Sequence, residues 1–218
     1  MGPPLRVVVL ASGEGTTVEG LARALAEPPT EVAIVAVISD RSGARALDRA
    51  RQRGLSTAVV AVDADASEAW SDRLTAEIAS HGADVVVLAG FLSILPATWI
   101  DRWRGRALNL HPSLLPRYGG RGMYGLRVHA AVLAAGESET GATLHLVTGA
   151  VDGGPAVAQA RLAVRPDDTP ESLRERLRPV EVELLATTLR RFARGELPLP
   201  YPSAADRPRP RPAPDRRD

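Results

Sequence analysis

Lysine and cysteine are both absent from the 218 residues. All 27 basic side chains are therefore arginines. Without lysine there is no Schiff-base amine, no phosphate-cradling Walker lysine and no kinase-type lysine. Without cysteine there is no disulfide framework, thiol nucleophile or thiolate metal site. Long hydrophobic runs are also missing: nothing approaches about 18 successive apolar residues, and the run after Leu5 is too short for a secretion signal. A soluble, cytoplasmic protein with no membrane partner is expected. Net charge is almost absent too, at +1 from 27 basic and 26 acidic residues. The four histidines, His81, His111, His129 and His145, follow no metal-ligand spacing, so no metal is expected.

What is present is an ordinary globular balance, 44% apolar and 24% charged, on a chain long enough for one domain with a sizeable core. Apolar, β-branched runs at 5–11, 32–38, 57–62, 84–89 and 106–110 read as buried strands. Helical spacing occupies 18–26, 44–53 and 67–80, with Gly54 and His81-Gly82 as stop signals. This rhythm predicts an α/β fold with a doubly wound, mostly parallel sheet. It breaks after Leu110 into a long loop rich in Pro and Gly, a short helix at 127–135, and two strands at 142–148 and 156–164 forming a C-terminal antiparallel hairpin. A final long helix starts near Thr169-Pro170 and runs to about 192. One domain over 1–202 is expected. Residues 203–218 read as a disordered tail of arginine and proline, with nothing larger than alanine to bury. The tail has five arginines against three aspartates, so its charge is +2 and the body's is −1. A body so close to neutral argues against nucleic acid as the partner.

Three places could carry chemistry. Gly13, Glu14, Gly15, Thr16 and Thr17 leave the first strand and open a helix, where backbone N–H groups meet anions. Gly20 arrives two residues late for a dinucleotide fingerprint, although Asp40 could imitate its ribose-binding acid. A phosphate ester is favoured over a dinucleotide, and Glu14 must then point away from the phosphate. Asn109 and His111, two apart at the carboxyl end of a strand, project to one side. An amide donor beside an imidazole suits acyl transfer. Asp152, in an Asp-Gly-Gly turn, would raise the His111 pKa and orient its ring. His129 and His145 read as structural, Trp99 and Trp103 as packing, and Ser113 has no hydrolase elbow around it.

These pieces occur together. Asn109-Leu110-His111-Pro112-Ser113-Leu114-Leu115-Pro116 resembles the signature of the 10-formyltetrahydrofolate-dependent formyltransferases. Ser12-Gly13 with Gly15, Ser39-Asp40-Arg41, Ala89-Gly90-Phe91, Gly141-Ala142-Thr143 and Asp152-Gly153-Gly154-Pro155 extend the likeness from about Val7 to about Leu189. Within that family it is most similar to the branch of purine synthesis that formylates glycinamide ribonucleotide. The resemblance implies a formyltransferase-type sheet, a transferase with 10-formyltetrahydrofolate as co-substrate, and a tetrahedral intermediate. It implies Asn109 as oxyanion donor, His111 as proton shuttle and Asp152 as the group positioning it. The ribonucleotide phosphate would lie on residues 13–17, with Gly90, Arg178 and Glu181 around the rest of that substrate. Phe91, Leu92, Ser93, Ile94, Leu95, Val147, Ser67 and Asn109 would line the folate side.

Departures accompany it. Glu14, Thr16 and Thr17 stand where the family often has Asn, Ser and Asn. Ser67 and Ser93 stand where folate-side arginines are common, and Arg178 replaces a common glutamine. The stretch Gly119–Val128 is longer than in many members and reads as a candidate lid. A formyl-folate hydrolase, a formyltransferase for another amine, or a non-catalytic nucleotide-binding module are the alternatives. The first two usually carry an added domain, which is not expected here. Small-molecule substrates and a monomer or homodimer are expected.

Overall fold

In the computed structural model, residues 2–26, 28, 30–62 and 67–198 are described; the tail at 203–218 lies outside them. The elements run β1 (Leu5–Leu10), α1 (Thr16–Leu25), β2 (Val32–Ser39), α2 (Arg45–Gln52), β3 (Thr57–Val59), α3 (Glu68–Ser80), β4 (Val85–Leu88), α4 (Ala97–Arg102), β5 (Ala107–His111), α5 (Leu126–Ala134), β6 (Glu139–Leu146), β7 (Ala156–Ala163) and α6 (Pro170–Ala193). One seven-stranded sheet has the order β3-β2-β1-β4-β5-β6-β7. Pairing is parallel from β3 to β5 and antiparallel for β5–β6 and β6–β7. The chain leaves β1 toward one edge and returns to β4 on its other side, so the strand order reverses between β1 and β4. Ligands of open α/β sheets bind outside the carboxyl ends of the strands at such a reversal.

Successive residues of a strand point to opposite faces. On β1, Val7 and Val9 join Leu21, Leu47, Leu185, Leu189 and Phe192 in one apolar layer. Val8 and Leu10 join Trp70, Leu74, Ile78, Trp99 and Trp103 in the other. Both layers are buried and apolar, which is why the central strands read as unbroken apolar runs. Fully burying each such side chain contributes about 1.5–3 kcal/mol.

Local signals set the helix ends. Ser67 accepts from the N–H of Trp70 to cap α3. Thr169 and Ser172 form a reciprocal capping box on α6, with Pro170 as its first residue. The expected strand at 57–62 shortens to three residues, although the N–H groups of Val60 and Val62 still bond to the carbonyls of Ser39 and Asp40. Helix α4 is additional to the sequence expectation. It is one and a half turns long and exists to lay Trp99 and Trp103 on the core. Gly20, the displaced third glycine, serves helix packing: a Cβ there would lie 2.6 Å from Cγ2 of Val182 on α6. Among the described residues no helix is long and apolar enough to cross a membrane.

Candidate active site

A cleft of about 620 Å³ opens at the carboxyl ends of β1, β4 and β5. Its walls are the loops after those strands, the turn between β6 and β7, and the side of α6. At its floor, β5 and β6 place Asn109 directly opposite His145. Asn109 is the chain's sole asparagine. Its amide nitrogen donates to Nε2 of His145 at 2.9 Å and to Oδ1 of Asp152 at 3.2 Å. Nδ1 of His145 donates to the Leu146 carbonyl at 2.9 Å. With the hydrogen on Nδ1, Nε2 of His145 accepts from Asn109, and it also lies 3.5 Å from Oδ1 of Asp152.

His111 ends β5 and is almost fully buried. Its Nε2 lies 2.8 Å from the main-chain carbonyl of Tyr118. A carbonyl only accepts, so Nε2 carries the hydrogen. Nδ1 faces Oδ2 of Asp152 at 3.4 Å. Burial lowers the His111 pKa, and the Asp152 charge and the Tyr118 carbonyl oppose it without overcoming it. The carboxylate thus acts in the expected direction, but desolvation wins and the net shift is downward. For Asp152, burial works against ionisation, yet contacts from His145, His111 and the Gly120 N–H hold the pKa below the usual carboxylate range. Gly120 donates to Oδ2 at 2.9 Å.

The loop after β5 is braced from below. The Thr143 hydroxyl donates to the Ser113 carbonyl at 2.7 Å and accepts from the Leu115 N–H at 3.0 Å. Gln159 on β7 reaches both Thr143 and the Leu115 carbonyl. The Ser113 hydroxyl donates to the Arg117 carbonyl at 2.6 Å.

The glycine-rich turn at 13–17 is held against α2. Gly15 is left-handed at φ 71°, and a Cβ on it would lie 2.3 Å from Cα of Ala46. Glu14, the awkward acid of this turn, pairs with Arg45 at 3.1 Å, and its carbonyl accepts from Arg49. Gly13 through Thr17 all line the cleft.

Gly90 through Leu95 form the opposite wall. Phe91 stacks on Trp70 with ring centroids 6.5 Å apart. Ser12 accepts from the Leu92 N–H at 2.8 Å. The Ser93 hydroxyl turns inward to Oδ2 of Asp40 at 2.6 Å, and Arg41 grips both Asp40 oxygens at 3.1 Å. Burial raises the Asp40 pKa, but hydrogen bonds from Arg41, Ser93 and Ser12 outweigh it and the net shift is downward. Asp40 is 3% exposed and outside the cleft lining, with both oxygens engaged, so it anchors the wall.

Val147, Arg178 and Glu181 also line the cleft. Desolvation pushes the Glu181 carboxyl up to about 7, against the pull of Arg178. Ser67 does not reach the cleft lining; its side chain caps α3. Several cleft residues were invisible to sequence reasoning. His145 enters through antiparallel pairing with β5 and Gly120 through its main-chain N–H, while Tyr118, outside the lining, reaches His111 through its carbonyl. Arg174 lies one turn before Arg178 on the same face, a spacing that was legible. Its Nε is buried with no hydrogen-bond partner among the described residues. His129 is also in the lining; burial and the Arg174 charge push its pKa down to about 4, so it is neutral near pH 7. Among the described residues no group of three His, Asp or Glu is placed to hold a metal ion.

The arrangement is a hydrogen-bonded floor of amide, imidazole and carboxylate between a backbone-rich turn and an apolar wall. Comparison with known proteins places most of the chain. The sequence matches the formyl transferase family over residues 5–189. It is 36% identical over 194 residues to the phosphoribosylglycinamide formyltransferase of Escherichia coli, covering 88% of this chain and 89% of that protein. The crystal structure of the phosphoribosylglycinamide formyltransferase from Brucella melitensis superposes with a TM-score of 0.79 at 38% identity, covering 88% and 96% of the two chains. A formyltetrahydrofolate deformylase from Pseudomonas syringae superposes at 0.78 with 27% identity, covering 89% of this chain and 63% of that one.

Proposed function

The chain belongs to the formyl transferase family, and on that premise we propose that its cleft passes the formyl group of 10-formyltetrahydrofolate to the amine of glycinamide ribonucleotide. The observation that carries this reading is the convergence of Asn109, His111 and Asp152 at the floor of one cleft. The glycine-rich turn with its helix N-terminus forms one side of that cleft, and the 90–95 wall the other.

In this reading the ribonucleotide phosphate rests on the N–H groups of residues 13–17, where the opening of α1 favours an anion. Pairing of Glu14 with Arg45 partly offsets the like charge that would oppose it. Arg178, with Arg174 beside it, adds positive charge on the α6 side, and Glu181 meets the polar body of the ribonucleotide. Phe91 through Leu95 and Val147 enclose the folate ring. Ser93 and Ser67 carry no charge, and their hydroxyls are engaged by Asp40 and by the N-terminus of α3, so neither supplies the cation that a folate carboxylate would seek.

The substrate amine attacks the formyl carbon, and a new C–N bond forms while the carbonyl oxygen gains charge. Asn109 supplies an N–H to that oxygen. In the unliganded arrangement both its amide hydrogens are taken by His145 and Asp152. An alkoxide is a far stronger acceptor than a neutral imidazole, so it draws one of them away. His111, largely neutral because burial lowers its pKa, accepts the proton leaving the attacking nitrogen at Nδ1, beside Asp152. It returns a proton to N10 of the folate as the C–N10 bond breaks. Asp152 stabilises the transient imidazolium.

The test is spectrophotometric turnover with glycinamide ribonucleotide and a 10-formyl folate. Deformylated folate is expected only when the ribonucleotide is present, and its release is abolished in His111→Ala. Release without ribonucleotide would assign the cleft to hydrolysis instead.

A further inference from the structure

Tyr118 belongs to none of the roles above, yet its main chain touches His111. It has φ 58°, in the left-handed region that non-glycine residues rarely enter. Its carbonyl lies on Nε2 of His111 at 2.8 Å. Two residues later the Gly120 N–H bonds to Asp152. Between them Gly119 is closely packed: a Cβ would lie 2.4 Å from Cδ2 of Leu115, which would have to move, and 3.2 Å from Cβ of Asp152. Residues 118–120 therefore clamp both members of the His111–Asp152 pair through main-chain atoms alone.

The clamp is anchored outside the cleft. The Tyr118 hydroxyl donates to Oε1 of Glu137 at 2.6 Å. Glu137 follows α5 and is itself gripped by both terminal nitrogens of Arg117. The Arg117 guanidinium also lies over the Tyr118 ring, 5.4 Å from its centroid. An unusual backbone conformation persists only where its surroundings over-determine it, and here the surroundings are the Arg117–Glu137 pair.

We propose that Tyr118 is a positioning residue: its side chain, moored on Glu137, holds its own carbonyl against His111 and so fixes the Nε2–H tautomer, leaving Nδ1 as the nitrogen that takes and gives the proton. The tautomer of a histidine is set by what its other nitrogen bonds. The groups that face His111 are Asp152 on the β6–β7 turn, His145 on β6 and His129 on α5. None of them accepts a hydrogen from Nε2, so the Tyr118 carbonyl alone holds that hydrogen among the described residues.

Tyr118→Phe removes the hydroxyl and nothing else from the anchor. The variant is expected to show a mixture of Nδ1–H and Nε2–H forms for His111 by ¹⁵N NMR, where the parent protein shows Nε2–H alone. In turnover, kcat is expected to fall roughly tenfold, with both KM values within about twofold. The acid limb of the kcat/KM profile moves to lower pH, because loosening the carbonyl removes support for the imidazolium. Glu137→Ala should reproduce all three effects, the double variant should add little, and Glu137→Gln, which keeps an acceptor oxygen, should restore most of the loss. An unchanged tautomer in Tyr118→Phe overturns the proposal, as does lost activity with an unmoved pH limb. The kinetic arm rests on the formyl-transfer reading; the NMR arm needs no turnover, so failure of one is distinguishable from failure of the other.

Discussion

Asn109 donates to Asp152 across 3.2 Å, and through that bond the proposed oxyanion donor and the carboxylate that faces His111 are one connected unit. The same amide nitrogen reaches His145 at 2.9 Å. Asn109 is thus held by two acceptors, in a rotamer fixed before any substrate arrives. An oxyanion recruits this amide only by taking a hydrogen from one of those two acceptors, which its stronger basicity allows.

Asn109→Ala is expected to lower kcat by about 10²–10³, the usual cost of one oxyanion donor. Asn109→Asp should lose at least as much, because it sets a second carboxylate against Asp152, and like charges at that distance cannot both ionise. Steady-state kinetics at pH 7.5 checks both. A fall in kcat below fivefold for the alanine variant would remove Asn109 from the mechanism.

Gly15 is a backbone requirement and Gly13 is not. An alanine at 15 would need φ near 71° and would drive its Cβ into the main chain of Ala46. Strain and overpacking together should cost Gly15→Ala about 2–4 kcal/mol. Gly13→Ala meets nothing within 4 Å and should be close to neutral in stability. Urea denaturation midpoints of the two variants give the comparison. The KM for the ribonucleotide should rise in Gly15→Ala, because the same turn is assigned to the phosphate.

Glu181 makes stability depend on pH in a defined sense. Its folded-state pKa is raised from 4.5 to about 7. Below pH 4.5 both folded and unfolded chains hold the proton, and the group carries no penalty. As pH rises from 4.5 to about 7 the unfolded chain releases its proton first, so unfolding is favoured progressively. Glu181→Gln escapes this and should be more stable than the parent at pH 8 by at most about 3 kcal/mol, with no gain at pH 4.5. His129, buried and neutral, destabilises both proteins equally at acid pH, so it cancels in the difference. Urea midpoints at the two pH values are the measurement, and an equal gain at both would show that the carboxyl is not desolvated.

Much of this protein was legible in one dimension. Doubly buried strands advertise themselves as runs such as residues 5–11 and 84–89, because both faces of a central parallel strand must be apolar. The cap at Thr169 and the stop glycines at 54 and 82 follow from the unsatisfied groups at helix ends, which are local. Asn109 and His111 could be paired from a spacing of two, since alternate residues of a strand share a face. What stayed hidden is long-range or carried by main-chain atoms. His145 becomes a partner of Asn109 only through the register of β6 on β5. Ser93 is committed to Asp40, 53 positions away, by the way two loops close over the sheet. The net fall of the His111 pKa depends on burial that no single residue encodes. The sequence determined which chemical groups exist and which local backbone they adopt, because those follow from neighbours a few residues apart. The tertiary structure alone decided which of them meet, how deeply water is excluded, and which nitrogen of His111 holds its hydrogen, because desolvation and hydrogen-bond pairing are set by atoms brought together from the far ends of the chain.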